Sequence, residues 1–111
     1  MKIKKNKIGV ISYIEPEIPI ASEGAKELKN VIEDCFKESE YKIVINFSSV
    51  PYIDSEGLET LLDILGEVRK KGGSIKISDP NPVCNDIFTA SRFDTLFEIY
   101  RSAEKAGRSF L

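Results

Sequence analysis

Histidine is absent from all 111 residues. Without it, a Ser-His-Asp triad, a His-ligated metal site and imidazole acid–base catalysis are excluded within the chain. Cysteine is scarce. Cys35 and Cys84 stand far apart, show no CxxC spacing and fall in apolar helical patterns, so they read as buried core thiols rather than a redox or zinc pair. No GxGxxG and no GxxxxGK[ST] is present, which removes both common nucleotide fingerprints. No stretch approaches the roughly 20 apolar residues of a membrane span. The basic opening "MKIKKNKI" is not followed by the roughly 7–15-residue apolar run of a secretory leader. "NFS" at 46–48 matches a glycosylation acceptor, but without such a leader the match is chance.

Strong charge of either sign is lacking as well. A net charge of −2 gives no general attraction to nucleic acid or to an anionic membrane. The expectation is a cytoplasmic protein with no metal, no cofactor, and neither nucleic acid nor membrane as partner. What is present is an ordinary globular balance, 41% hydrophobic and 31% charged, in a length suited to one domain over residues 1–111.

Along the chain, "IGVISYI" at 8–14 is rich in β-branched residues and predicts a strand, ended by the prolines of "EPEIP". A helix is predicted from Ser22 to about Glu38, with Ala25, Leu28, Val31, Ile32, Cys35 and Phe36 on one stripe. "YKIVINF" predicts a second strand. A second helix follows from about Ser55 to Lys71, with Arg69, Lys70 and Lys71 at its negative end and Gly72-Gly73 as its stop. "SIKISDP" predicts a third strand, and Asn81-Pro82 opens a short third helix. "TLFEIY" reads as a closing strand and "RSAEKAG" as a final helical turn or two. The alternation implies an α/β domain with a largely parallel sheet, in which ligands and partners gather at loops leaving the carboxyl ends of strands.

One such loop is "YIDSEGL", residues 52–58. Asp54 or Ser55 is a good N-cap, and Glu56 gains about 0.3–1 kcal/mol from the helix dipole. Capping alone accounts for those three residues. It does not account for Gly57, which costs about 0.5–1 kcal/mol inside a first turn unless another backbone approaches closely or the dihedral is unusual. In the helix that follows, Leu58, Leu61, Leu62, Leu65 and Val68 form the expected buried stripe, with Ile64 at its edge. The other side carries Glu56, Glu59, Asp63 and Glu67, like charges that repel along the face, and Gly66 interrupts the helix beside them. That side is either a solvated face or a docking face for a basic partner.

The segment "KIVINFSSVPYIDSEGLETLLDILGEVRKKGGSIKISDPNPVCNDIFTASRFDTLFEIY", residues 42–100, resembles the STAS domain of bacterial anti-sigma-factor antagonists. The likeness lies in the order of hydrophobic strand, S-x-V-x-Y-[IM]-D-S-x-G-L turn, helix, Gly-Gly stop, strand and "FDTLFEIY" ending. It implies an α/β fold with a mixed sheet of four or more strands, three main helices and a short C-terminal helical segment. It also implies a non-enzymatic module that binds a protein partner, a serine kinase that is also an anti-sigma factor, as monomer or weak dimer. In such domains the kinase phosphorylates the Ser or Thr directly before the glycine of DS[ST]G, and the added charge breaks the complex.

Asp54, Ser55 and Gly57 carry over to that turn, whereas Glu56 occupies the phosphoacceptor position without a hydroxyl. Three outcomes are open: a protein locked in the non-binding form, a partner adapted to a carboxylate, or Ser55 as the substitute phosphoacceptor. The adapted, phosphorylation-independent binder is the favoured expectation. The partner-binding surface is then Asp54, Ser55, Glu56 and Gly57, with Leu58 packed beneath and Glu59 and Asp63 at the rim. The alternative is a STAS module that responds to a small ligand or nucleotide. Upstream, "EPEIPIAS" replaces the family's usual G-[ED]-[LI]-D, and the short N-terminus predicts that an edge strand is missing.

Overall fold

The structure, a computed structural model, describes residues 2–111. Among these, five strands and four α-helices alternate as β1 (Ile3–Ile8), β2 (Ile11–Pro16), α1 (Glu23–Lys37), β3 (Lys42–Asn46), α2 (Ser55–Lys70), β4 (Ser74–Ser78), α3 (Pro82–Ala90), β5 (Glu98–Tyr100) and α4 (Ala103–Arg108). The strands lie side by side in chain order. β1 is antiparallel to β2, and every later neighbour is parallel. The expected mixed sheet with three main helices and a short fourth is therefore the fold.

Central strands read as continuous apolar runs because both faces of the sheet are covered. On one face Ile14, Ile43, Ile45, Ile75 and Ile77 pack beneath α1, α2 and α3. Cys35 and Cys84 lie in this core as free, buried thiols, and burial pushes Cys84 up to about 11. On the other face Ile11 and Val44 meet Ala106 of α4, with Tyr13, Tyr100 and Phe110 around them. Lys76 is buried on this second face. Its Nζ donates to Ser109 Oγ at 2.6 Å, lies 3.5 Å from Glu98 and sits 4.3 Å from the Phe110 ring centroid, so β5 and the C-terminal segment supply its partners.

Four details depart from the sequence reading. The run 8–14 is not one strand: Gly9, with a left-handed φ of 62°, and Val10 turn the chain between β1 and β2. The edge strand expected to be missing is present as β1, formed by the basic opening segment. "TLFEIY" gives a strand only from Glu98, since Phe93–Thr95 is a 3-10 turn that lets Phe93 and Phe97 both reach the core. In α2, Leu62 is 41% exposed while Ile64 is fully inside. The stripe is centred on Leu61, Ile64, Leu65 and Val68. At 100° per residue, Leu62 lies about 110° from that centre and Leu58 about 70°, half-buried at the margin.

Candidate functional site

β3 delivers its chain to the carboxyl edge of the sheet, and residues 47–54 cross that edge to start α2. Three neighbours hold this loop. Asn81, the N-cap of α3, accepts from Cys84 N–H at 2.9 Å. Its Nδ2 donates to the carbonyls of Val50 at 2.6 Å and Phe47 at 3.1 Å. Cys84 Sγ donates to the same Val50 carbonyl at 3.4 Å. On the other side Ile20 and Ile53 form a single parallel bridge, with Ile20 N–H donating to Tyr52 O at 3.1 Å and Asp54 N–H to Ile20 O at 3.4 Å. The "EPEIPIAS" connection is thus the lateral wall of the turn.

Asp54 is the N-cap of α2: Oδ1 accepts from Gly57 N–H at 2.8 Å. That bond occupies the Asp54 carboxylate in structure. Ser55, at the first helical position, and Glu56, at the second, are exposed. Gly57 is buried, and a Cβ there would overlap the carbonyl oxygen of Ile20. Of the two causes its cost allowed, close approach of another backbone is the one present; its φ is not left-handed. Gly66 is the opposite case, exposed with nothing near the place of a Cβ.

The acidic face divides in two. Lys29 of α1 reaches Asp63 at 3.7 Å and Glu67 at 3.4 Å, so these two carboxylates are compensated by a neighbouring helix. Lys71 turns away and lies over the rings of Phe36 and Tyr41. Among the described residues, Glu56 and Glu59 have no ion-pair partner. Asp63, expected at the rim, is paired with Lys29, and the half-buried Leu58 packs against the core.

Sequence reasoning missed the apolar rim of this surface. Tyr52 on the turn, Leu62 on α2 and Val83 at the start of α3 are 48%, 41% and 51% exposed. A finer helical-wheel phase signals Leu62; nothing in the sequence distinguishes Tyr52 or Val83. Asn81 was legible as a cap but not as the residue that ties the β3–α2 loop to α3.

A sheet of parallel strands edged by one antiparallel hairpin, with a capped turn and an exposed acidic helix start at its carboxyl edge, places the chain in the mixed α/β class. Residues 2–106 match the model of the STAS domain family, and the chain belongs to that family. It is 24% identical over 110 residues to a Bordetella bronchiseptica protein named "Putative anti-sigma factor antagonist BtrV", covering 99% of this chain and 95% of that one. A crystal structure from Thermotoga maritima superimposes with a TM-score of 0.89 at 21% identity, over 96% of this chain and 92% of that one. The anti-sigma factor antagonist SpoIIAA in its unphosphorylated form gives 0.79 at 16% identity, over 94% and 91% of the two chains.

Proposed function

We propose that this chain is a non-enzymatic anti-sigma-factor antagonist whose DSEG turn docks on a basic surface of an anti-sigma factor of the serine-kinase type. Glu56 gives the turn a permanent charge at the phosphoacceptor position, and the partner has adapted to it. The observation that carries this reading is the pairing pattern. Asp54 is consumed by the cap and Asp63 and Glu67 by Lys29, which leaves Glu56 and Glu59 bare on a rigid helix start. Two uncompensated carboxylates beside exposed Tyr52 and Leu62 suit a partner that brings cations and an apolar anchor.

A small-anion sensor is disfavoured at this helix start, because Asp54 and Glu56 repel the phosphate that the N-terminal dipole would attract. Ser55 is exposed and remains the alternative phosphoacceptor.

Binding of Glu56→Lys to the serine-kinase anti-sigma factors of the same genome tests the reading. We expect the affinity of the cognate pair to fall at least about 30-fold, the scale of a charge reversed inside a desolvated contact. Unchanged affinity would place the interface elsewhere. Incubation with ATP and intact-mass analysis then separates the outcomes: no added mass with intact binding supports permanent engagement, whereas about 80 Da at Ser55 shows a relocated switch.

A further inference from the structure

The net charge of −2 conceals a strong separation along the strand axis. The hairpin turn and the C-terminal ends of α1, α2 and α4 meet at one pole. Their segments, 5–10, 37–42, 69–73 and 105–111, hold nine of the sixteen Lys and Arg and two of the eighteen Asp and Glu. The opposite pole carries the DSEG turn. Its segments, 2–4, 15–27, 52–59 and 79–86, hold nine Asp and Glu against three Lys.

Cations at helix C-termini are ordinary complements of the helix dipole. That accounts for Arg69, Lys70 and Arg108. It does not account for Lys42, which opens a strand, nor for the hairpin tip. Ile8 and Val10 are 61% and 65% exposed there, where polar turn formers are usual. Val10, Tyr41, Lys42 and Phe110 line a depression of about 360 Å³ beside the tip. This pole is apolar at its centre and cationic around it. The DSEG pole is its counterpart, apolar at Tyr52, Leu62 and Val83 and anionic at Glu56 and Glu59.

We propose that the chain associates with itself head to tail, the hairpin pole of one copy docking on the DSEG pole of the next. The contact is heterologous, and it occupies the DSEG turn. Self-association therefore competes with the protein partner, a consequence that rests on the function proposed for that turn; the association itself does not. With few charges per contact it is weak and salt-sensitive, as a reversible cover for the turn requires.

Sedimentation velocity on the full chain tests this. The weight-average sedimentation coefficient is expected to rise with concentration in about 20 mM salt and to return to the monomer value in about 500 mM salt. Two exposed-surface variants sharpen the test: V10D/K42E at the hairpin pole and E56K/E59K at the DSEG pole. Each alone stays monomeric with an unchanged circular dichroism spectrum, and an equimolar mixture associates again, because the intact hairpin pole of one variant meets the intact DSEG pole of the other. A wild type that stays monomeric throughout, a variant that still associates, or a mixture that does not would each overturn the proposal. So would a monomeric wild type that co-sediments with phosphatidylglycerol vesicles, which would assign the basic pole to lipid. V10D/K42E keeps its DSEG turn, so partner binding by that variant separates failure of the association from failure of the proposed function.

Discussion

Gly57 and Gly66 occupy one helix for different reasons, and substitution separates them. At Gly57 an added methyl group meets the Ile20 carbonyl, which is itself fixed by hydrogen bonds to residues 52–54. Gly57→Ala is therefore expected to cost about 2–4 kcal/mol, seen as a lowered midpoint in urea, since neither backbone can yield without breaking the wall of the turn. At Gly66 the site is open, and Gly66→Ala should add about 0.5–1 kcal/mol through helix propensity alone. A loss of partner affinity in that stabilised variant would place a second backbone against Gly66. The sequence showed that each glycine carries a local cost. It did not show which cost has a structural cause, because Ile20 approaches Gly57 from another part of the chain. Lys29 teaches the same lesson: its contacts with Asp63 and Glu67 cross between helices, and no spacing rule along α2 reveals them.

At the scale of elements, the β1–β2 hairpin was the part least visible beforehand. β1 reads Ile-Lys-Lys-Asn-Lys-Ile, with one buried residue in six, so apolar alternation cannot signal it. Its place is set by pairing with β2 and by one carboxylate. Glu40, just beyond α1, accepts from Lys5 at 2.9 Å, Lys7 at 3.4 Å and Ser12 Oγ at 3.1 Å. The hydrogen bond from Lys5, more than any other contact, holds the Glu40 carboxyl below the usual carboxylate range. A carboxyl depressed in the folded state contributes stability that is present above its unfolded pKa. The contribution is lost as pH falls through the folded value. Glu40→Gln is thus expected to be less stable than wild type by about 1–2 kcal/mol at neutral pH. The difference should close progressively below about pH 4.5. Urea midpoints measured across that range would show it. A gap that stays constant with pH would mean that the glutamine disturbs packing and that the ion pairs add little. The helices and central strands were legible because their apolar periodicity is local, whereas β1 depends on residues that only the folded chain brings to it.

Over the whole molecule, the property hidden most completely from composition is the direction of the charge. A net charge is a sum, and here a basic pole and an acidic pole nearly cancel. Only the fold, by collecting helix ends at one edge of the sheet and strand ends at the other, separates them. The separation matters for a partner approaching the DSEG turn. Charges that line the approach but stay outside the contact accelerate encounter and leave the bound complex almost unchanged. Asp86 is such a charge on the function proposed: exposed on α3, at the acidic pole, and on a different element from Glu56. Asp86→Lys should slow association with the anti-sigma factor about two- to five-fold in low salt, with a nearly constant dissociation rate. The association rate of the wild type should itself fall steeply as salt rises. Stopped-flow mixing at several ionic strengths resolves the two rates. If the change appears in dissociation, Asp86 lies inside the contact, and the docking surface extends from the start of α2 across Asn81 and onto α3. That outcome would give the Asn81 tether a further role, because the residue that fixes the β3–α2 loop to α3 would then hold the two halves of one interface in register.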